Sequence, residues 1–521
     1  MEEKNLMLEQ IPAEKFRFVN QDERIHDKKF DDKPIGYFKD AWLRFKKSKA
    51  SVVAAIIILL IVLYAFCCPL LIRSHSATFM ANLYAKKPGR ITWLKDLGLG
   101  IADGGTKRNF SERGLQSKLA IGVGAENYDG KHNITVSEAM DSEYMPMIRY
   151  KEQGDGYTGK IDTYLEVGFI YRSVEQAEYK RIRDWEQETG LRVIYPLIAD
   201  NEYSYSFDMT DANFWYKVDA KGSPIKVNSN GEAKRIRMSD DMVFEDNYLR
   251  DDSGNVLYYV YAGGGDQNTA QYKIRVLYYN YFQYLYGHEP EYVLGTDAQG
   301  YDMALRLAGG IKLSLEISIA VASINFIIGT LYGAVEGYYG GTVDLIMERI
   351  SDILWDIPFI VLASLFQIHL AAKVGPIPSL LFVYILTGWI GTASTVRAQF
   401  YRFKNQEYVM AAHTLGARDR RIIWKHIYPN TLGTIITASA LAIPSVIYQE
   451  SNLSYLGIVK LGSSKVTSLG TLLSDSSSIW TNYPHLMILP ALTISLLMIC
   501  FNLFGNGLRD AFNPALRGTE D

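Results

Sequence analysis

The side chains that could carry chemistry are few and scattered. Asp297 and Asp302 bracket Gly300 in GTDAQGYD, but too few oxygen ligands follow at calcium-loop spacing, so a turn is expected there. His413 and His426 stand singly in a basic stretch and read as structural. Cys67, Cys68 and Cys500 all fall in apolar runs, which gives neither a metal-ligand pair nor a disulfide-stapled domain. The chain has no G-x-x-x-x-G-K-[ST] phosphate loop, no G-x-S-x-G and no H-E-x-x-H. An enzyme is not expected, nor a cofactor or metal held by this chain. What remains is a segment suited to contact: EYVMAAHTLGARDRRIIWKHIYPN, residues 407–430, with Arg418, Arg420, Arg421 and Lys425 among small and aliphatic residues. Read as helices, Tyr408, Val409, Ala411, Ala412 and Leu415 form one apolar stripe, and Ile422, Ile423 and Ile427 another. Gly416 permits a tight change of direction, and Pro429 is expected to end the second helix. Two readings fit equally: a compact knob gripped by a partner's cleft, or helices lying on a bilayer with the arginines at lipid phosphates.

The elements that must position this segment are membrane spans. The average over 521 residues, 48% hydrophobic with a net charge of -3, suits a soluble protein, but the apolar residues are clumped. Residues 52–72 carry no charge, and about 20 such residues cross a ~30 Å hydrocarbon core as a helix. Five further runs follow at 313–335, 353–372, 377–396, 431–449 and 485–505. The polar residues ahead of 52–72 argue against a signal peptide. Lys39, Arg44, Lys46, Lys47 and Lys49 precede the first span and only Arg73 follows closely, which places the N-terminus in the cytoplasm. Six spans return the C-terminus there, in agreement with Arg509, Arg517 and the arginines of 397–425. The expected organisation is a cytoplasmic region 1–49, a first helix 50–72, an external region 73–295, a core 296–510 containing the basic loop 398–430, and a cytoplasmic tail 511–521.

Residues 73–295 are polar and expected to fold as an α+β domain without disulfides. Ser173 and Gln176 resemble a capping box opening a helix that Gly190 stops, LRVIYPLI reads as a strand, and RDDSGNVLYYVYAGGG reads as a turn into an edge strand. The crowd of Tyr272, Tyr278, Tyr279, Tyr281, Tyr284 and Tyr286 has two readings, an interfacial helix on the outer leaflet or the core of the external domain. On the first, residues 73–270 form the independent unit and 272–286 stay with the membrane.

Segment 407–430 resembles the EAA loop of ABC-importer permeases: Ala411, Ala412, Gly416, Ile427 and Pro429 match, with Met410 in place of the acidic first residue. FKDAWLRFKKSKASVV, GTDAQGYDMALRLAGGIKLSL, GYYGGTVDLIMERISDILWDIP, ESNLSYLGI and FNLFGNGLRDAFNPALRG are similar to blocks of the C-type subunit of oligopeptide and dipeptide permeases, over residues 30–72 and 270–518. The resemblance implies a polytopic α-helical membrane protein of the type I ABC importer permease kind with six transmembrane helices, and the residues add a large α+β extracytoplasmic insert between the first two. It implies a bacterial cell membrane, a homologous B-type permease subunit, two cytoplasmic ATPase subunits holding ATP and magnesium, an external peptide-binding protein and a peptide substrate, with no nucleic acid. Docking to the ATPase is then expected of Glu407, Ala411, Ala412, Leu415, Gly416, Ala417, Ile427 and Pro429. Glu316, Asn325 and Glu450 are expected along the translocation pathway, because polar groups in apolar runs need water or a partner. Glu450 matches an acidic residue of the family and is expected in the outer vestibule, while Lys312, one turn before Glu316, offers an i,i+4 pair instead. The insert departs from the family; it either receives the peptide or its carrier, or acts as a rigid spacer. A mechanotransmission ABC protein and a membrane-anchored receptor fit less well, since neither needs six spans with a coupling loop.

Overall fold

The computed structural model describes residues 37–72, 79–129, 139–198, 248–263, 270–461 and 467–512. Arg73, Gly264, Gly265, Arg517, the N-terminal 1–36 and all of the tail beyond 512 lie outside the described residues. The chain enters through α1 (Tyr37–Lys47) and α2 (Lys49–Leu71). Ile56, Leu60, Leu63 and Leu70 of α2 face outward, as an apolar helix in lipid requires.

The described residues of the insert form two sheets. Strands β1 (Gly105–Phe110), β2 (Met147–Gln153) and β3 (Gly156–Asp162) form an antiparallel sheet in the order β1-β3-β2, covered on one side by α3 (Glu112–Glu126). Leu115, Leu119 and Val123 of α3 pack there on Met147 and Ile161. In the second sheet β4 (Phe169–Glu175) leads into α4 (Gln176–Thr189), and β5 (Ile194–Tyr195) and β6 (Tyr259–Tyr261) follow. Strand β7 (Gln271–Leu277) is central, with β4 along one edge and β5 and β6 on the other; it runs into α5 (Tyr278–Tyr286).

Several local expectations change here. Ser173 is no helix cap: it pairs with Lys273 inside β4, and the helix begins only at Gln176 without a side-chain cap. Gly190 does end that helix, in the left-handed conformation at φ 76. The LRVIYPLI strand shrinks to two residues, because the N–H groups of Val193 and Ile194 donate to the Glu186 carboxylate at 2.6 and 2.7 Å and Pro196 follows. The edge strand after the Gly254 turn forms as β6. Most of the tyrosines join a protein core: Tyr278, Tyr281 and Phe282 are buried with Ile274, Val276 and Ile182, Tyr272 and Tyr284 pack partly against them, and Tyr286 is exposed. The two ends of the insert run together. Arg90 and Tyr292 exchange backbone bonds of 2.8 and 3.1 Å, and the buried Arg90 guanidinium reaches Asp162 at 3.3 Å and Tyr279 at 2.6 Å.

Past the insert, α6 (Met303–Tyr339) has 37 residues, ~55 Å of helix, more than a bilayer core needs. The run expected as one span at 353–372 covers the end of α7 (Gly341–Trp355) and α8 (Phe359–His369), a pair bent by 70° at a short break. Pro358 lies at the break, where it lacks an N–H and disfavours helix in the residue before it. Helices α9 (Pro376–Thr387) and α10 (Ile390–Phe403) follow nearly in line, then α11 (Glu407–Thr414) and α12 (Asp419–Arg421). A π-helical segment, Ile422–Ile427, joins α12 to α13 (Tyr428–Tyr455), and α14 (Leu469–Ser476) and α15 (Pro484–Phe512) complete the described chain. Among the described residues five helices are long and apolar enough to cross a membrane, or six if the bent pair counts as one span. Gly329, Gly333 and Gly337 line one side of α6 against α10; a Cβ at Gly337 would sit 2.7 Å from that of Phe400. The small-residue stripe lets the two backbones approach closely and fixes where α10 delivers the loop.

Candidate functional site

The loop is built outward from α10. Lys404 closes that helix with its ammonium 3.1 Å from the Gly337 carbonyl oxygen of α6. Helix α11 carries Glu407 in its first turn, where a carboxylate suits the helix dipole. It ends in a Schellman motif: the Ala417 N–H donates to Ala412 at 3.1 Å, the Gly416 N–H to His413 at 2.9 Å, and Gly416 takes φ +77. Asp419 opens the next helix and accepts a 2.8 Å bond from the Tyr338 hydroxyl at the end of α6. Pro429 does not end that helix. The π turn makes the Tyr428 N–H donate to Ile423, five residues back, and the chain passes through Pro429 into α13. A widened turn accommodates the missing proline N–H, so the candidate span runs unbroken over Asp419–Tyr455.

The first of the two apolar stripes read from the sequence divides, and the second is buried whole. Val409, Ala412, Ile422, Ile423 and Ile427 are buried, and all but Ala412 join Ala334, Val396, Phe400 and Ile435 in one cluster with the span ends. Tyr408, Ala411, Leu415 and Pro429 are exposed, as are Glu407 and Gly416, and Ala417 is half-buried. Leu415 is 88% exposed, the largest value among the exposed large apolar side chains of the described residues, and Met410 of α11 is exposed as well. Ala411 and Leu415, four residues apart, share the outward side. Arg418, Arg420, Arg421 and Lys425 are exposed around them. A rigid apolar tip stands on a base continuous with the spans, so force applied to the tip reaches the membrane helices.

The three polar residues of the spans do not converge. Glu316 is exposed and its carboxylate lies 3.9 Å from Lys312, the local pair. Asn325 is buried, and its Oδ1 has no hydrogen-bond partner among the described residues. Glu450 lies in no vestibule of this structure: it is fully buried and accepts bonds from Ser314 at 3.0 Å and Ser454 at 2.9 Å. Each of its two oxygens accepts a hydroxyl hydrogen bond, as a buried carboxylate requires. At the turn before α6, Asp297 Oδ1 accepts from the N–H groups of Gln299, Gly300 and Tyr301 at 2.9 Å each, and Asp302 caps α6 through Ala304 at 2.7 Å. Burial pushes the Asp297 carboxyl above its ordinary range, against the pull of those N–H groups and Arg306.

Sequence reading missed a charged knot beneath the loop. Arg397 of α10 grips Asp344 at 2.6 and 2.8 Å and Glu348 at 2.8 and 3.1 Å, both on α7, with Glu336 of α6 at 3.5 Å. The signal was present as carboxylates four apart in DLIME, but the cation that answers them lies about fifty residues on.

Fold and site together define a polytopic helical membrane protein with a solvent-facing helical loop rooted among its span ends. Residues 303–518 match the model of the binding-protein-dependent transport system inner membrane component, and residues 36–87 that of the N-terminal TM domain of oligopeptide transport permease C. The chain belongs to this permease family. Residues 88–302 are matched by neither model. The chain is 40% identical over 227 residues to the oligopeptide transport system permease protein OppC of Bacillus subtilis (strain 168), covering 43% of this chain and 72% of that one. It is 42% identical to the OppC of Haemophilus influenzae, covering 43% and 71%, and 40% identical to the dipeptide transport system permease protein DppC of Bacillus subtilis, covering 43% and 68%. A solved inward-facing MetNI methionine ABC transporter chain aligns over 40% of this chain and 98% of its own, with 16% identity and a TM-score of 0.34, too low to carry an argument.

Proposed function

We propose that this chain is the C-type permease subunit of an ATP-driven importer of oligopeptides or dipeptides, coupled to its motor through the exposed tip Glu407–Ala417. The observation that carries the reading is Leu415, almost wholly exposed on a rigid turn whose underside is packed into the ends of α6, α10 and α13. Two cytoplasmic ATPase subunits, each with ATP and magnesium, grip such tips on this chain and on a homologous B-type partner, and their closure drives alternating access. ATP chemistry belongs to those partners. The termini and the loop face the cytoplasm of a bacterial cell, and the insert faces outward, where it receives the peptide or the protein that delivers it.

The exposed positions give the cleanest test. Leu415→Glu and Ala411→Arg leave the buried base untouched and are expected to abolish co-purification of the ATPase subunits and uptake of a labelled tripeptide by the reconstituted complex. Ala412→Arg is a poorer probe, because Ala412 points into the loop's own base. Normal ATPase assembly and uptake in both exposed variants would remove the coupling assignment. Sidedness is read separately, by labelling Lys151→Cys from outside and Arg418→Cys only after permeabilisation.

A further inference from the structure

The three-stranded sheet of the insert has two unlike faces. One packs Phe110, Tyr157, Met147 and Ile161 against α3. On the other, Lys107 of β1, Lys160 of β3 and Arg149 of β2 stand directly opposite one another in a single rung, with Asn109, Thr158 and Lys151 in the next. Like charges directly opposite across strands are destabilising, so this alignment works against the fold. It also depends on an irregularity: the register shifts between Met147 and Arg149, and without that bulge Ile148 would face Lys160 and Arg149 would turn toward the core. Bulges that re-aim one side chain are characteristic of functional surfaces. Among the described residues Asp103 pairs with Lys160, and no carboxylate pairs with Lys107, Arg149 or Lys151, all three of them exposed. These side chains, with Thr158 and Gln153, line a concavity of about 610 Å³, in the size range of ligand sites.

We propose that this face is a docking surface for an acidic, extended polypeptide segment of a partner protein. Charge complementarity selects the anion, and two features select a polypeptide. The outer edge of β2 is paired with no other described strand, which leaves backbone N–H and C=O groups available to an added strand. The surface is also concave, which suits a chain better than a planar lipid layer. Lysines on edge strands also discourage unwanted pairing, which would account for Lys107, Arg149 and Lys151 but not for the concavity they line. The surface lies outside the coupling loop, so its failure and the failure of the transport reading are separate results.

The test uses the full chain in nanodiscs of zwitterionic lipid, with fluorescein-labelled hexaglutamate and hexaserine followed by anisotropy. Hexaglutamate binds and hexaserine does not, and binding weakens steeply as salt shortens the screening length. Lys107→Glu with Arg149→Glu lowers the affinity about tenfold or more, and Lys151→Glu by a smaller factor. The milder pair Lys107→Gln with Arg149→Gln, checked by circular dichroism, shows the same direction if the reversals disturb the sheet. Unchanged affinity in the folded variants overturns the proposal. So does displacement of the peptide by inorganic phosphate at equal concentration, or binding of phosphatidylglycerol vesicles without binding of hexaglutamate. Self-association of the reversed variants with peptide binding intact would show that the charges only guard an edge.

Discussion

Arg397 holds Asp344 with two hydrogen bonds of 2.6 and 2.8 Å, joining the helix that delivers the loop to the helix that follows α6. The arginine is one quarter exposed, and Asp344, Glu348 and Glu336 all direct carboxylate oxygens at it. Removing the cation leaves three acidic groups facing one another. Arg397→Gln is expected to lower stability by about 1–3 kcal/mol, below the figure for a fully buried pair because water screens part of the site. Arg397→Lys recovers only part of this, since an ammonium lacks the planar fork that engages two carboxylates at once. Thermal unfolding of the detergent-solubilised chain measures both.

The buried Glu450 separates a structural from a substrate-facing role. Glu450→Gln keeps two polar atoms beside Ser314 and Ser454, whose hydroxyls can reorient, and is expected to shift stability by less than about 1 kcal/mol with uptake retained. Glu450→Ala leaves a cavity and unsatisfied hydroxyls and is expected to cost about 2–4 kcal/mol. Loss of uptake in a Gln variant of normal stability would return Glu450 to the pathway.

The insert has a definite pH signature. Burial lowers Lys87 from its ordinary 10.5 to about 8; Glu166 at 3.9 Å opposes the shift, while Arg108 and Lys118, which share that carboxylate, reinforce it. Between pH 8 and 10.5 the unfolded chain holds a proton that the folded chain has released, so stability rises with pH across that window. Below it the penalty is complete, about 3 kcal/mol. Lys87→Met is therefore expected to raise stability at neutral pH and to remove the alkaline gain, as followed by chemical unfolding at a series of pH values.

The boundary of the insert is testable by excision. A fragment 75–268 lacks β7, the strand on which β4, β5 and β6 all pair, and is expected to show no cooperative unfolding. A fragment 79–302 retains β7, α5 and the Arg90–Tyr292 pairing and is expected to unfold cooperatively. Cooperative folding of the shorter fragment would mean that the second sheet is dispensable.

What the sequence determined by itself is what local composition controls. Apolar runs long enough to cross a bilayer are stable there as helices, so 313–335, 377–396, 431–449 and 485–505 fall within candidate spans, and 52–72 does so to within one residue. Gly416 was legible as a turn because few residues other than glycine adopt φ +77 at low cost, and the structure uses it so. Tertiary structure decided the rest. Tyrosine suits a headgroup layer and a protein core equally, and only pairing along β7 placed Tyr278 and Tyr281 inside the insert. Helical spacing grouped Ala411, Ala412 and Leu415, but only the neighbours from α6, α10 and α13 determined which side turned inward. Pro429 reads as a stop because its missing N–H breaks a regular α-helix, and the π turn that absorbs it has no sequence signature as plain as the proline itself. A carboxylate in an apolar run such as Glu450 calls for water or a partner, and the fold supplies Ser314 from another helix. For the buried side of the loop and for Glu450 the partners lie far along the chain, and a residue's own neighbours in sequence do not identify them.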